Sequence, residues 1–477
     1  MATIPRRPRL VVVSNRVPLP SQGARAGGLA VVLEEALDSI DLWFGWSGRI
    51  ADSEPPRIRF ESGRGAEFAT IDLSQENYRN FYVGFANGAL WPLLHFRLGL
   101  IEFRREHLEG YRAVNELFAA ALAELLKPDD LVWVHDYHFI PLARALRRMG
   151  LENRIGFFLH VPFVPPSVFS ALPQGDGLLR DFCAYDVVGF QTAQHLSDFQ
   201  ESVRQILGYE IDGQGAIAAG ERRVRSVVTP VGIDSAKFAR QAERAATGRS
   251  NKRLIDSLAG RALMIGVDRL DYSKGLPNRF EAFNRLLTRF AEHRQKVSYL
   301  QVAVPSREEV AEFASLRQSL SRMAGDINGR HGAFDWVPLR YMSQGLARST
   351  LAGFYRAARA GLVTPFRDGM NLVAHEYVAA QDPADPGVLV LSRFAGVASY
   401  FSEALLVNPY DPDEIADAMN AALLMPLAER RRRHALLLGQ LRKLTAKAYC
   451  ETFLGALRRS PERSDRSAYG AAAAFGG

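Results

Sequence analysis

The fold of this chain is decided by two stretches, Arg269-Leu-Asp-Tyr-Ser-Lys274-Gly275 and Asp368-Gly369-Met370-Asn371-Leu372-Val373-Ala374-His375-Glu376. Each follows an apolar run that is typical of a buried strand, at 262–267 and 361–365, and the second opens directly into a helical pattern. A strand, a glycine-containing turn and a helix start form the unit with which α/β proteins hold phosphorylated ligands. We therefore predict one crevice that receives two cations, Arg269 and Lys274, and the free amides of a helix start. This combination suits a diphosphate and needs no metal.

Apolar runs typical of strands alternate with helical patterns along the whole chain, and the pattern restarts after residue 260. Short apolar strands separated by helices predict parallel sheets joined by right-handed crossovers. A seam falls near Pro230-Val-Gly-Ile-Asp234. We therefore expect an α/β protein with two Rossmann-like halves, 1–234 and 235–459, that face each other across a ligand crevice. The last helix of the second half can pack back on the first half, and 460–477 is predicted to be a disordered tail.

The composition narrows the class of protein. The 477 residues are 47% hydrophobic, which suffices for two or three domain cores. The formal charge of +7 is spread along the chain, which argues against a nucleic-acid binder and agrees with anionic small substrates. Two distant cysteines and apolar runs too short for a signal peptide or a membrane span predict a soluble cytoplasmic protein without a membrane partner.

A glycine pair follows the first predicted strand. The strand at 10–13 ends at Ser14-Asn-Arg16, and the connection runs on to Ala26-Gly27-Gly28-Leu29-Ala30. Paired glycines let the backbone approach a ligand closely, although a simple flexible loop is an equally good interpretation. Arg16 lies at the carboxyl end of the strand, where its guanidinium suits a phosphate.

Histidines and a carboxylate follow two further predicted strands, as His135-Asp136-Tyr137-His138 and as His160. A metal site is one interpretation. Residues 135, 136 and 138 lie in a turn, however, with no i, i+4 pair and no nearby carboxylate cluster to complete a coordination shell. Hydrogen bonding to sugar hydroxyls, with one histidine at the reacting centre, is the better hypothesis. The alternative is a histidine that caps a turn.

Aromatic and cationic candidates elsewhere have structural alternatives. Tyr82 and Trp91 could stack on a sugar face or belong to the core. The run at 87–95, punctuated by Gly and Pro, is expected to form an ordered loop over a cleft. Arg307 begins a helix after a strand, and suits a phosphate as well as a surface salt bridge.

Two acidic positions also have structural alternatives. Glu376 lies roughly one and a half turns into its helix, where it could reach ribose hydroxyls or pair with an arginine. Asp411-Pro-Asp413 matches a DxD pattern that holds a metal in some sugar-nucleotide enzymes. Its place at a helix start favours N-capping instead.

Together these motifs resemble those of the trehalose-6-phosphate synthases, a family of retaining glycosyltransferases with the GT-B fold. The resemblance extends from residue 9 to 455 and rests on ten segments in the family's order: VVVSNR (11–16), GGLA (27–30), LWFGWSG (42–48), LWP (90–92), HDYH (135–138), NRIGFFLHVPF (153–163), GFQT (189–192), RLDYSKGLP (269–277), RDGMNLVAHEYVAAQDP (367–383) and NPYD (408–411).

The resemblance implies that glucose is transferred from UDP-glucose to glucose 6-phosphate with retention of the anomeric configuration, giving α,α-trehalose 6-phosphate and UDP. It implies a role in trehalose biosynthesis under osmotic stress, no metal or other cofactor, and a homo-oligomer. It also implies a front-face mechanism, in which the leaving phosphate helps to deprotonate the incoming hydroxyl.

The family's functional positions map onto this chain residue by residue. The implied glucose 6-phosphate contacts are Arg16, Tyr82, Trp91, Asp136 and Arg307, with the arginines on the phosphate. The implied UDP-glucose contacts are Gly27, Gly28, His160, Arg269, Lys274, Leu346, Asp368, Gly369, Met370, Asn371, Leu372, Val373, Ala374, His375 and Glu376. Trp91 and Val161 would help to select the anomer. Catalysis falls to His160, Asp136, Arg269 and Lys274, the last two stabilising charge on the departing diphosphate.

Two departures from the family pattern bear on the site. His375 stands where many relatives have Lys, so a charge contact there would weaken near neutral pH. The segment Val164-Pro-Pro-Ser167 replaces the usual Pro and later Glu, which could tune acceptor fit. The main alternative is a glycosyltransferase of the same fold with ADP- or GDP-glucose or another phosphorylated acceptor. A non-catalytic regulatory subunit is the alternative from another class.

Overall fold

The computed structural model describes residues 7–22, 32–33, 40–51, 57–306 and 311–460. These residues fall into two compact units, one within 1–230 and 449–477 and the other at 231–448. We refer to them as unit 1 and unit 2. The predicted tail at 460–477 lies outside the described residues, apart from Ser460.

Unit 1 is built on a nine-stranded sheet with the order β3-β4-β2-β1-β5-β6-β7-β9-β8. The inner strands pair in parallel, and the antiparallel pairs β3–β4 and β8–β9 lie at the two edges. The strands are β1 (Leu10–Arg16), β2 (Leu42–Ile50), β3 (Arg59–Gly63), β4 (Ala66–Leu73), β5 (Leu131–His135), β6 (Arg154–Phe158), β7 (Val187–Phe190), β8 (Ala216–Ala219) and β9 (Arg222–Val228).

The central strands of this sheet are buried along their whole length, as in parallel sheets that helices cover on both faces. The helical segments are α1 (Gln75–Asn77), a π-helical segment (Tyr78–Leu90), α2 (Trp91–Leu94), α3 (Arg105–Ala123), α4 (Leu142–Arg148), α5 (Pro166–Phe169), α6 (Gly175–Phe182) and α7 (Ala193–Leu207).

The prediction of a loop over 87–95 is wrong. The chain is helical from Gln75 to Leu94, first through α1, then the π-helical segment, then α2. Pro92 does not break this run because it stands at the start of α2, and the Gly88 carbonyl one turn before it accepts from the Glu102 N–H at 2.8 Å instead. The Gly and Pro residues within 87–95 therefore do not mark a loop in this chain.

The C-terminal helix, α16 (Ala446–Arg458), returns to unit 1 from Tyr449 onward. Its Phe453 ring stacks on Trp133 of β5, with ring centroids 4.8 Å apart. A Cβ atom at Gly156 of β6 would lie 2.7 Å from the Phe453 ring, and one at Gly189 of β7 would lie 2.8 Å away. Glycine at these two strand positions thus provides the space that the ring fills.

Unit 2 is built on a six-stranded sheet with the order β12-β11-β10-β13-β14-β15, and all its pairs are parallel. Its strands are β10 (Ala262–Arg269), β11 (Val297–Val304), β12 (Leu339–Met342), β13 (Ala360–Val363), β14 (Val388–Ser392) and β15 (Leu405–Val407). Its helices are α8 (Ser235–Ala246), α9 (Arg249–Leu258), α10 (Leu276–Arg289), α11 (Ala311–His331), α12 (Arg348–Ala357), α13 (Leu372–Ala380), α14 (Pro412–Leu424) and α15 (Leu427–Leu441).

Separate hydrophobic clusters cover the two faces of this sheet. Leu263 and Ile265 of β10 contribute to one cluster, and Met264 between them contributes to the other. The alternation follows the two-residue period of a strand. Both faces are apolar, which explains why the sequence pattern predicted the strand as a continuous hydrophobic run.

Each sheet has a topological switch point, where the strand order reverses. In unit 1 it lies between β1 and β5, and in unit 2 it lies between β10 and β13. Open α/β sheets bind their ligands beyond the carboxyl ends of the strands at this point. The topology therefore marks one candidate binding edge in each unit.

A buried arginine, Arg279 of α10, supports the binding edge of unit 2. Its side chain is 0% exposed. Its guanidinium donates to Asp268 Oδ2 at 2.5 Å, to Gln301 Oε1 at 3.0 Å and to Thr364 Oγ1 at 2.9 Å, and it also reaches the Lys274 carbonyl at 3.3 Å. One side chain thus connects β10, β11, the end of β13 and the loop after β10.

We predict that Arg279→Met destabilises the protein by about 3–5 kcal/mol, because it leaves the Asp268 carboxylate buried without its cation. Equilibrium unfolding in urea measures this loss. The matched control is Arg285→Met on the same helix, whose side chain is 34% exposed beside Glu281. That variant should lose no more than about 1 kcal/mol. Equal losses in the two variants would contradict a structural role for the buried arginine.

Candidate active site

The loop after β10 holds the two predicted cations of unit 2. Arg269 is the last residue of β10 and is exposed, whereas Lys274 ends a 3-10 turn and is 8% exposed. Gly275 follows with φ of +65°, and a Cβ atom there would lie 2.5 Å from the carbonyl oxygen of Thr364. Because only glycine fits this position, the loop packs closely against the end of β13.

The loop after β13 brings the predicted carboxylate to the predicted lysine. Lys274 Nζ donates to Asp368 Oδ2 at 2.6 Å, and Asn371 Nδ2 donates to the same oxygen at 2.9 Å. Asn371 is also the N-cap of α13, where its Oδ1 accepts from the Ala374 N–H at 3.2 Å. The structure therefore joins both quoted stretches of sequence through one carboxylate.

The remaining predicted donor contacts line the start of α13 and its surroundings. Leu372 and Val373 are half-buried in the first turn of α13. The backbone N–H groups of a first turn have no acceptor within the helix. Gly369, Met370 and Ala374 are buried. Leu346 is half-buried and packs against the core of unit 2. These positions supply backbone groups and shape rather than charge.

Glu376 is paired with an arginine, as the structural alternative for this residue anticipated. Arg348 Nε donates to Glu376 Oε1 at 2.7 Å, and the Glu376 side chain is 15% exposed. The arginine comes from α12, 28 residues earlier in the chain. The ion pair fixes the carboxylate on the surface of α13, next to the helix start.

His375 is fully buried, with its ring 5.4 Å from that of Phe401. Burial lowers the pKa of His375 to about 4. The imidazole is therefore neutral near neutral pH, and it carries no charge to a ligand. Because histidine replaces the lysine of many relatives here, residue 375 can contact a ligand only through its backbone.

In unit 1, Arg16 lies at the carboxyl end of β1, beside the switch point. Its guanidinium carbon lies 4.9 Å from the ring centroid of Trp46, in a cation–π contact. Gly48, with φ of +84°, provides the space, since a Cβ atom there would lie 1.9 Å from Arg16 Nη1. A tryptophan and a glycine of β2 thus hold the arginine at the binding edge.

Asp136 and His160 lie at the ends of the neighbouring strands β5 and β6. Asp136 has φ of +74°, which is rare for a residue other than glycine. Its N–H donates to the Phe158 carbonyl at 2.8 Å, and its Oδ1 accepts from the His160 N–H at 3.3 Å. Strained backbone of this kind persists where the surroundings fix it, often at functional sites.

His160 is half-buried, and its ring lies among those of His135, Phe158 and Tyr449. This burial lowers the pKa of His160 to about 3. The ring is therefore neutral over the physiological range. Val161, the next residue, is 7% exposed.

The aromatic candidates of unit 1 have different surroundings. Tyr82 is half-buried and stacks on His138, with ring centroids 5.8 Å apart. Trp91 is 3% exposed and packs against His95 and Tyr137, so in this structure it belongs to the core. Tyr82 is the better placed of the two to meet a ligand.

Three predicted contacts cannot be placed. Gly27, Gly28 and Arg307 lie outside the described residues. Their proposed roles at the acceptor phosphate and the nucleotide remain predictions.

The prediction that Asp411 is an N-cap is confirmed. Its Oδ1 accepts from the N–H groups of Asp413 at 2.9 Å and Glu414 at 3.1 Å, at the start of α14.

Among the residues that the structure describes, no group of three or more His, Cys, Asp or Glu side chains is arranged to hold a metal ion. No helix in the described part of the chain is long and apolar enough to cross a membrane.

Sequence reasoning missed several residues that build the site. Arg279 had a usable signal, since it falls on the apolar stripe of α10 among Leu276, Phe280 and Phe283, where a cation needs a buried partner. Trp46 and Gly48 belong to the segment LWFGWSG (42–48), but the sequence indicated no role for either residue. Arg348 gave no signal, because its partner Glu376 is distant in sequence and meets it only through tertiary packing.

Cations and hydrogen-bonding side chains gather at the switch point of each Rossmann-like unit. This fold and site define a glycosyltransferase of the GT-B type. The model of glycosyltransferase family 20 matches residues 9–459, and the chain belongs to that family.

Known proteins similar to this chain agree with the assignment. A trehalose-6-phosphate synthase of Sinorhizobium fredii (strain NBRC 101917 / NGR234) is 48% identical over 461 residues, which cover 95% of this chain and 99% of that protein. The α,α-trehalose-phosphate synthase (UDP-forming) of Burkholderia xenovorans, solved with glucose-6-phosphate, has a TM-score of 0.91 at 44% identity, covering 94% of this chain and 100% of that one. A structure from E. coli bound with UDP-2-fluoro glucose has a TM-score of 0.90 at 43% identity, covering 95% and 100%.

The buried histidines predict how stability depends on pH. Burial lowers the pKa of His375 to about 4 and that of His160 to about 3, whereas histidines in the unfolded chain titrate near about 6.5. Below that value the unfolded chain binds protons that the folded chain does not. The free energy of unfolding should therefore fall as the pH drops from about 6.5 towards 4, by up to about 1.4 kcal/mol per pH unit for each such histidine.

Urea unfolding at several pH values tests this expectation with His375→Phe, which should flatten the slope between about pH 6.5 and 4. The control is His195→Gln on α7, where the histidine is only half-buried. An identical slope in the wild type and His375→Phe would show that His375 takes up its proton over the same pH range in the folded as in the unfolded chain, which would contradict a lowered pKa.

Proposed function

We propose that this protein transfers glucose from UDP-glucose to glucose 6-phosphate, with retention of the anomeric configuration, to give α,α-trehalose 6-phosphate and UDP. The observation that carries the proposal is the position of cationic side chains at both switch points, Arg16 in unit 1 and Arg269 with Lys274 in unit 2. A reaction with two phosphorylated substrates needs both. The relatives named trehalose-6-phosphate synthase support the choice of substrates.

Unit 1 would hold the acceptor. Arg16, oriented by Trp46, would bind the phosphate of glucose 6-phosphate together with Arg307. Asp136 and Tyr82 would contact the sugar, the first through its carboxylate and the second through its ring and hydroxyl. Trp91 and Val161 would shape the pocket for one anomer.

Unit 2 would hold the donor. Arg269 and Lys274 would bind the diphosphate, and the first-turn amides of α13 would add their dipoles. Asp368, Asn371 and the backbone from Gly369 to His375 would position these groups, and Glu376 would reach the ribose. Leu346 would add a nucleotide contact, and Gly27 and Gly28, which lie outside the described residues, are proposed as further nucleotide contacts.

The cations would act most strongly as the bond to the diphosphate breaks, because negative charge then grows on the leaving oxygen. His160 would contact the transferred glucose as a neutral hydrogen-bonding group, since its lowered pKa of about 3 makes it a poor proton donor or acceptor at neutral pH. The departing phosphate oxygen would then accept the proton of the attacking hydroxyl on the same face.

We further propose that the reaction needs no metal, and that the enzyme works in the cytoplasm as a homo-oligomer. Lys274, Arg269 and the helix amides would replace the charge that a divalent cation supplies in other transferases.

A coupled nucleotide-release assay with purified protein in EDTA tests the proposal. It crosses UDP-, ADP- and GDP-glucose with glucose 6-phosphate and glucose, and the product anomers are assigned by NMR. UDP release that requires glucose 6-phosphate and yields an α,α-linked disaccharide phosphate is the expected result. Release from ADP- or GDP-glucose in place of UDP-glucose would assign the protein a different donor specificity on the same fold, and no release with glucose 6-phosphate from any donor would refute glucose 6-phosphate as the acceptor. An absolute need for added metal would refute metal independence.

Arg269→Ala should lower turnover on the order of 100-fold, corresponding to about 3 kcal/mol, because the guanidinium stabilises charge on the leaving diphosphate. Steady-state kinetics at saturating UDP-glucose and glucose 6-phosphate measure the change. The matched control is Arg261→Ala, which removes an arginine just before the opposite end of the same strand and should leave turnover unchanged. A change under about threefold in Arg269→Ala would contradict this role.

A further inference from the structure

A second histidine, His135, contacts the ring of His160. His135, the last residue of β5, is 0% exposed. Its Nδ1 lies 3.0 Å from His160 Nε2, and the two ring centroids are 5.2 Å apart. A nitrogen–nitrogen distance of this length is a hydrogen bond, so one of the two facing nitrogens carries a proton.

The walls around this pair are aromatic. Trp133 lies 4.6 Å from the His135 ring, and Phe158 lies 4.7 Å from the His160 ring, by centroid distance. Tyr449 of α16 packs at 6.4 Å from His160. The carboxylate of Asp136, which follows β5, accepts from the backbone N–H of His160 at 3.3 Å. Burial lowers the pKa of His135 well below its usual value, so both rings are neutral.

The direction of the hydrogen bond between the two rings depends on the other ring nitrogen of His135, Nε2. Its Nε2 is buried and has no hydrogen-bond partner among the described residues. In a neutral imidazole one nitrogen donates and the other accepts. If His160 donated to His135 Nδ1, His135 would carry its own proton on Nε2 as a buried N–H without an acceptor, and such groups are rare in proteins. With the proton on His135 Nδ1 instead, only an acceptor nitrogen, Nε2, is left without a partner.

We propose that His135 is a positioning residue, which donates from Nδ1 to His160 Nε2 and thereby holds His160 as the tautomer with its proton on Nδ1. His160 then presents an N–H donor to a hydroxyl of the transferred glucose. A ring held at one nitrogen by a buried partner has a fixed plane and a fixed donor direction, as histidines fixed by supporting side chains do at metal centres. The glucose contact rests on the proposed function, whereas the tautomer does not.

The kinetic test compares three variants. His135→Phe keeps much of the volume and removes the donor, whereas His135→Asn places an amide N–H near the position of Nδ1. We expect His135→Phe to lower kcat/KM for UDP-glucose by about 10- to 100-fold, with KM for glucose 6-phosphate within about twofold of the wild type. His135→Asn should recover most of the loss. Tyr449→Phe is the control, since it removes only a hydroxyl from the same aromatic wall.

A spectroscopic test needs no substrate. Histidine-selective 15N labelling of the unliganded wild type, with His160→Asn used to assign the signal, reports which His160 nitrogen bears the proton. A proton on Nδ1 is expected, and a proton on Nε2 would overturn the proposal. So would a loss in His135→Phe that affects both substrates equally and is not recovered in His135→Asn. Failure of the wild type to turn over any nucleotide-glucose would instead refute the proposed function and leave the NMR result standing.

Discussion

The binding edge of unit 2 depends on one buried guanidinium. Arg279 connects Asp268, one residue before Arg269, with Thr364, just beyond β13, and it also contacts the Lys274 carbonyl. A fork of fixed N–H donors can hold several loops at once, whereas an ammonium group could not keep the same planar geometry. Because the guanidinium is wholly buried, each of its contacts is needed to offset the loss of hydration. The loops that carry the predicted diphosphate ligands are therefore fixed by the core below them.

In unit 1, aromatic packing holds the side chains at the binding edge in place. Arg16 lies on Trp46 over a glycine, and His135 and His160 are enclosed by Trp133, Phe158 and the C-terminal helix. In both units the functional side chains follow from strand order, because parallel strands that diverge at a switch point leave room for a ligand at their carboxyl ends. The difference lies in the support, an ion network in one unit and stacked rings in the other.

Strand and helix alternation predicted both parallel sheets, because buried strands and amphipathic helices leave periodic traces in sequence. The same local signals failed at 87–95, where Pro92 belongs to a helical first turn and not to a loop. Position at a strand end predicted Arg16, Asp136, His160, Arg269 and Asp368 as candidate site residues. Pairings such as Arg348 with Glu376 and His135 with His160 could not be predicted, since they depend on tertiary distances between residues far apart in sequence.

The protonation states of the site favour electrostatic over acid–base catalysis. His160 is neutral because burial holds its pKa at about 3, so it cannot serve as the proton donor to a leaving group at neutral pH. A diphosphate leaves as an anion, and what it requires is positive charge already in place. In the proposed reaction Lys274 would meet that need although it is bound to Asp368, because an ammonium group has three N–H donors and can keep the carboxylate while it donates to a phosphate. Asp368 would thereby hold the cation in position before the substrate arrives, which would avoid reorganisation during the proposed reaction.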